Sequence, residues 1–501
     1  MNPQPSGVPA FAEMAEQSKW LTGVPGLLDA ALGWETALPG VRLELARSAR
    51  SLARPTLHPE GFSRIGVIAG RVAAAVGRAV GDLPAGVWRR LLYGEEVPSP
   101  REHVAHRLQA VVASGGPSLV KLGQFVATAR GILPDELVDG FSWCVDSVPP
   151  LSGSDVRQVL IGDLGAPPED LFASFEVAPM AAASIAQTHE AVTFDGRRVV
   201  VKVQRPGLRQ QFERDLRAMA LLAFVLENRS STVRSANLSG FVDLFARLVL
   251  EEVDFRLEAC NMVELGLAAE HAGAEFVVFP RPLPGFVTKR VIVMERLEGV
   301  PYSQAEWGRI DAGSRERLLR LVIAGVLEHT LIYGVFHGDL HAGNVLAAPD
   351  GTLGLVDYGI VGRMDENERE ALVRFMIGFA MNDTRAQLES MVGLGAVPPG
   401  ADLSALAEKL DEVVPKGPVT QERLAEALGA VIRILVAEGF RLPTSLVLFF
   451  KNLLYLNGFA AAVAPDVDLM SEIGPIFGYF RDKYGDEMEA IVGAVPLAAA
   501  W

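Results

Sequence analysis

Apolar and polar positions follow two different rhythms along this chain, and the change of rhythm divides it. From residue 10 to about 92, hydrophobic residues recur every three or four positions, the spacing of a buried helical face, and Pro25, Pro39, Pro55 and Pro84 mark expected helix boundaries. Inside this stretch Arg64, Arg71 and Arg78 lie seven apart, one stripe opposite Ile65, Val72 and Val76, which predicts an amphipathic basic helix over 63–81. Such a face is either solvated surface or a peripheral attachment to an anionic bilayer, and the spacing leaves both open. Residues 100–164 form a second helical block. Strand patterns begin only after Pro167 and Pro168. The runs 172–177, 186–194 and 198–204 are short and rich in Val, Phe or Thr, and Phe194-Asp195-Gly196-Arg197 supplies a turn, so an antiparallel sheet is expected. Helical spacing returns over 206–270, and 277–280 and 288–296 read as two further strands. Beyond Gly299 the pattern is helical, interrupted by a hairpin-like stretch over 345–356 that turns at Pro349-Asp350-Gly351.

Composition narrows the class. The 501 residues are 50% hydrophobic and 21% charged, which excludes a disordered or low-complexity chain. Sixty-one acidic against 46 basic side chains give a net charge of −15, the wrong sign for wrapping phosphate backbones, so nucleic acid is excluded as a partner. Two cysteines, Cys144 and Cys260, cannot build a disulfide framework, which suits a reducing cytoplasm. The start carries no secretory pattern, since Glu13, Glu16 and Lys19 break its first apolar stretch. Of the apolar runs, 212–227 and 491–501 are too short for a membrane, and 446–464 is cut by Lys451 and Asn457. No transmembrane helix is expected, and the location is read as cytoplasmic.

Three separated pieces carry chemistry. Lys202 stands in the apolar strand Val199-Val200-Val201-Lys202-Val203, where a charge requires an anionic partner. The octapeptide His337-Gly338-Asp339-Leu340-His341-Ala342-Gly343-Asn344 places an Asp and an Asn five positions apart on a loop, and Asp357-Tyr358-Gly359 follows the apolar run 353–356. Phosphoryl transfer from ATP needs a lysine on the donor phosphates, oxygen ligands for magnesium and a carboxylate to orient the acceptor. Lys202, Asn344 with Asp357, and Asp339 match those roles in kinase order.

With these pieces on the page, the sequence resembles the UbiB/AarF-like family of atypical kinases, associated with ubiquinone biosynthesis, over about 117–379. The resemblance also rests on Lys121-Leu122-Gly123-Gln124, similar to the family's K-x-G-Q motif, and on Leu133-Pro134 and Asp146-Ser147-Val148-Pro149-Pro150. Ala181-Ala182-Ala183-Ser184 is similar to its alanine-rich nucleotide loop and Glu252-Val253-Asp254 to its E-x-D motif. It implies an α+β, protein-kinase-like two-lobe fold with an added N-terminal helical K-x-G-Q extension. The implied segments are a helical region 1–99, the extension 100–170, an N-lobe 171–299 and a helical C-lobe 300–501. ATP or ADP and Mg2+ are the implied cofactors, with Ala181, Ala182, Ala183, Ser184, Lys202 and Glu295 at the nucleotide and Lys121, Gln124, Glu252, Asp254 and Glu258 in the catalytic set. On a continuous helix Glu252 and Glu258 would be about 240° apart, so one amine cannot take both; Glu258 is assigned to Lys202, and Glu252 with Asp254 to Lys121.

The alanines carry Cβ atoms where protein kinases carry glycines, so a stiffer nucleotide loop is expected, unless the stretch is merely a packed helix start. Directly after Asp357, Asp365 and Glu368 read as a helix-capping pair, which leaves no room for a peptide platform. The expected activity is therefore ATP hydrolysis or phosphorylation of a small or lipidic, isoprenoid-type molecule, with a protein substrate disfavoured. Two alternatives stand beside it: a phosphotransferase of the aminoglycoside or choline kinase type, which shares the H-G-D-x-H-x-G-N loop, and a nucleotide-gated lipid-binding scaffold. Asp-Tyr-Gly replaces the usual Asp-Phe-Gly, and neither that nor Ala186 removes a catalytic atom.

Overall fold

The computed structural model describes residues 9–56, 66, 119–123, 149–229, 238–380, 383–392, 396–398, 400–413, 430–431, 434–435, 438–440, 443–467 and 472–492. The arginine stripe of 63–81, Gln124 and Cys144 lie outside them. The chain divides into two compact units: Met1–Leu38 with Arg256–Val287 and Met294–Trp501, and Pro39–Phe255 with Thr288–Val293.

In the second unit the alternating runs form the expected antiparallel sheet. Ala186–Val192 pairs with Arg198–Gln204, setting Thr188 opposite Lys202, and on its other side with Ser174–Phe175 and Ala181–Ala182. Val199, Val201 and Val203 are fully buried on one face, the reason the strand is so apolar. The Asp163 carboxylate accepts from the Arg290 guanidinium at 2.8 Å and from the Thr288 hydroxyl at 2.7 Å, which fixes the 288–290 turn to the helix Gly153–Leu164.

The first unit is mostly helical. Its main core joins Leu327, Leu331 and Phe336 to Leu446, Phe449 and Phe480. A small sheet crosses it, in which Val345–Ala347 and Leu353–Leu355 make the anticipated hairpin, flanked by Val300–Pro301 and, in parallel, Val277–Val278. The described N-terminal helices pack onto this unit. Ala15, Leu21, Val24 and Leu27 pack on Val263 and Leu267, and the Glu270 carboxylate accepts from the free amides of Lys19 and Trp20, both at 3.0 Å.

Several expectations are corrected. Pro39 does not end a helix but lies inside Leu27–Leu52, whose Leu38, Leu45, Ala49 and Leu52 are buried; packing of that stripe outweighs one lost hydrogen bond. Residues 252–258 are not one helix. Leu238–Glu252 ends, and Phe255–Ala272 begins with the Phe255 amide donating to the Lys289 carbonyl, so the 240° argument does not apply. Three short strands, Pro282–Val287, Val335–His337 and Val361–Arg363, escape the pattern because each is brief and bounded by or contains Gly or Pro. Finally, one helix among the described residues, Ser445–Val463, is long and apolar enough to cross a membrane by length and composition. Half of that stretch is buried, and its Leu446, Phe449, Phe450 and Phe459 belong to the cores of the first unit.

Candidate functional site

The second unit holds the basic groups. The Lys202 ammonium is nearly buried and lies 5.4 Å from the centre of the Phe255 ring, a cation–π distance. Beside that strand, the Gln204 side-chain amide donates to the Val253 carbonyl at 2.9 Å, anchoring the break that follows Glu252. Glu252, at the C-terminal end of its helix, pairs with Lys121 at 2.6 Å; the carboxylate side chain is 3% exposed and the lysine 19%. Asp254 is buried in the break itself.

The alanine-rich segment is a β-turn rather than a helix start. Ala181–Ala182 is a strand, the Ala183 amide donates to the Ala186 carbonyl at 2.8 Å, and Ser184 and Ile185 are buried. Arg205 straps the turn, donating to the Ala183 carbonyl at 3.0 Å and to the Pro149 carbonyl at 2.8 Å, while its own amide bonds the Ile185 carbonyl. A turn tied at three carbonyls has little freedom to flex.

The first unit holds the acidic groups. Val335–His337 pairs antiparallel with Val361–Arg363, and the Gly338 amide donates to the Ile360 carbonyl at 2.9 Å. A Cβ at position 338 would sit 2.8 Å from the Ile360 side chain, so this approach requires glycine. His337 is buried, and burial holds its imidazole below the ordinary histidine range despite Asp339 and Asp357 nearby. The Asp339 amide donates to Nδ1 at 3.1 Å, which assigns the ring proton to Nε2, facing the Val356 carbonyl at 3.3 Å. One neutral imidazole thus joins the Asp339 loop to the residue preceding Asp357.

The rest of the loop is equally constrained. His341 caps the Ala342–Asn344 turn through Nδ1, accepting from the Gly343 amide at 3.0 Å. Asn344 donates from its side chain to the Asp339 carbonyl at 2.9 Å, and its own carbonyl accepts from the Val356 amide at 3.0 Å. Asn344 and Asp357 therefore lie on directly bonded backbones. Asp357 has φ +63°, the only positive φ at a non-glycine position among the described residues, and its side chain is exposed. A backbone in that region costs energy and is held by its surroundings. Tyr358 next to it is fully buried, donates to the Leu355 carbonyl at 2.6 Å and accepts at its own carbonyl from Asn261 at 2.9 Å. Burial, then Glu258 and Asp357, push its phenol well above the usual range, which places buried Glu258 beside this tyrosine.

Two of the singled-out carboxylates carry a basic partner. Glu295 is engaged by Arg281, which donates Nε at 2.8 Å and a terminal nitrogen at 2.6 Å to its two oxygens, a bidentate pair that occupies the carboxylate. Asp339 is held at 2.8 Å by Lys451, the lysine that interrupts the apolar run 446–464. Lys451, Asn452 and Tyr455 share one stretch of the helix Thr444–Val463. Asn452 donates to the His337 carbonyl, Tyr455 hydrogen-bonds the Asp339 carboxylate, and the Lys451 ammonium lies 5.5 Å from the Tyr455 ring centre. The signal was present: a lysine in an apolar helix needs a counter-charge as much as one in an apolar strand. Asp365 and Glu368 form the capping box that opens Glu366–Ala380, with reciprocal bonds of 3.0 and 2.9 Å.

Comparison with known proteins identifies a family. Residues 144–391 match the family described as the ABC1 atypical kinase-like domain. An uncharacterized protein of Mycobacterium tuberculosis is 32% identical over 458 residues, 90% of each chain. A probable protein kinase UbiB of Marinobacter nauticus is 30% identical over 399 residues, 77% of this chain and 72% of that one. Among solved structures, the Rv3197–erythromycin complex from Mycobacterium tuberculosis is 25% identical, with a TM-score of 0.49, and is matched over 72% of this chain and 90% of that one. With a relative at this identity over most of both chains and the family's own domain matched across both sets of residues, the chain belongs to the ABC1/UbiB family of atypical kinase-like proteins.

Proposed function

We propose that this protein binds Mg-ATP and uses it to phosphorylate a small or lipidic molecule, or to hydrolyse it. The observation that carries the reading is the His337 bridge, which ties Asp339 and Asn344 to the backbone that presents a strained, exposed Asp357. Strain concentrates where function demands it. The side-chain oxygen of Asn344 and the Asp357 carboxylate fit magnesium, a hard cation that takes oxygen ligands and keeps several waters. Bound there, the metal would neutralise charge on the donor phosphates. Asp339 would orient the acceptor hydroxyl or water, Lys202 would neutralise donor phosphates, and the strapped alanine turn would cover the nucleotide with little induced fit.

Relatives carry the name probable protein kinase. The non-protein acceptor proposed for this chain is supported by the capping box at Asp365, which starts a helix eight residues after Asp357 and leaves no extended peptide platform. The isoprenoid-quinone connection belongs to the same proposal and rests on the family resemblance, the peripheral membrane association rests on the arginine stripe of 63–81, and the cytoplasmic location rests on the two cysteines. The test is nucleotide binding and phosphate release by the full chain with magnesium, compared with Asp357→Asn and Asn344→Ala. Both variants are expected to lose at least about 100-fold in turnover, as for removal of a group acting on transition-state charge. If Asp357→Asn turned over ATP at the rate of the parent, the metal assignment would be wrong.

A further inference from the structure

The first unit contains an apolar cavity that the proposed phosphoryl chemistry leaves unused. It offers about 70 Å³ to the centre of a water-sized sphere, room for several waters or a small molecule, and is partly open to its surroundings. Protein interiors are otherwise packed with few voids larger than a water, so a space of this extent is not incidental. Its wall is hydrocarbon and aromatic, with Phe276, Phe279, Val326 and Phe459 among the lining side chains, and it carries no carboxylate, ammonium or guanidinium. Part of the wall is the loop region itself, through His337, Leu340 and Tyr455.

Two polar side chains in the lining are unused. His329 is 8% exposed, stacks on Phe279 with ring centres 6.3 Å apart, and makes no hydrogen bond from either ring nitrogen among the described residues. Tyr302 is buried too, and its hydroxyl makes none. Neither ring nitrogen of His329 nor the Tyr302 hydroxyl is sealed off from a water-sized group, so both residues open onto the cavity, where an occupant can satisfy them. Burial holds the His329 imidazole down to about 4, so at neutral pH it is uncharged and offers one donor and one acceptor. A carboxylate or ammonium entering this space would lose its hydration with nothing to replace it.

We propose that the cavity binds an uncharged, largely hydrocarbon molecule bearing one hydroxyl or carbonyl oxygen, with that oxygen hydrogen-bonded to His329. This goes beyond the nucleotide reading and does not depend on it: the cavity shares His337 and Tyr455 with the Asp339 loop, but its binding is measured without nucleotide.

The test is calorimetric titration of the full chain with 1-decanol and 2-decanone, and with decanoate as the charged control. Saturable one-to-one binding of the alcohol or ketone is expected, with decanoate at least about tenfold weaker. Val326→Trp, which fills the space, should abolish binding, and Val322→Phe serves the same purpose should the first variant lack a native near-ultraviolet spectrum. His329→Phe, which keeps the volume, should lower alcohol affinity by about five- to tenfold, the worth of one hydrogen bond. Absence of saturable binding, equal affinity for decanoate, unchanged affinity in a folded filling variant, or an unchanged alcohol affinity in His329→Phe would each overturn the proposal.

Discussion

Replacing Lys451 by methionine removes the counter-charge of Asp339 while keeping the unbranched apolar stem that packs in the helix Thr444–Val463. The ammonium lies 2.8 Å from the carboxylate, and the side chains are 14% and 21% exposed. Two unit charges at that distance attract by about 6 kcal/mol at an effective dielectric of about 20. Most of this is offset by the hydration both groups give up on burial. Exposed pairs retain about 0.2–1 kcal/mol, and breaking a fully buried pair costs about 3–5 kcal/mol. A pair roughly one-sixth exposed falls between these limits, so the coupling expected is about 2 kcal/mol. The assay is a double-mutant cycle of Lys451→Met, Asp339→Asn and the combination, read by equilibrium urea unfolding. Asparagine keeps an oxygen that can accept from Tyr455, so the cycle isolates the charge pair. Lys451→Met alone should destabilise by about 2–3 kcal/mol, and adding Asp339→Asn should restore most of it. A coupling below about 0.3 kcal/mol would refute the claim that this helix holds the loop through charge, leaving Asn452, Tyr455 and packing to do so.

Three further outcomes are expected. Lys121→Met removes the ammonium that lies 2.6 Å from the Glu252 carboxylate, whose side chain is 3% exposed, and should cost about 2–3 kcal/mol in urea unfolding, with Glu252→Gln added to it recovering part of that. At the left-handed position 357, Asp357→Val should cost about 2 kcal/mol more than Asp357→Gly, because only the branched side chain clashes at φ +63°; a melting series in which the two match would remove the strain argument. His329 titrates near 4 when folded and near 6.5 when unfolded, so the unfolded chain takes up the proton first. Stability from this group is whole above about pH 6.5 and falls by about 3 kcal/mol as pH drops to 4, with buried His337 acting in the same direction. Comparing urea midpoints of the parent and His329→Phe across this range checks it, and parallel pH profiles would contradict it.

The sequence alone singled out the candidate residues. The H-G-D-L-H-A-G-N run, Asp357 and Lys202 stand out because each places polar or charged groups beside apolar runs, and a linear pattern exposes such a mismatch directly. Period two found the 186–192 and 198–204 strands for the same reason, since alternation and the Asp-Gly turn are local properties. The tertiary structure decided everything that depends on residues far apart in the chain. Lys451 reaches Asp339 across 112 positions, Arg281 takes the Glu295 carboxylate, and the N-terminal segment packs on Val263 and Leu267. The break after Glu252 is likewise a tertiary effect, made where Gln204 and the Lys289 carbonyl satisfy backbone groups that a continuous helix would have used itself. Local propensity sets which segments want to be helix or strand, but burial and pairing of charge are settled only by what the folded chain brings alongside.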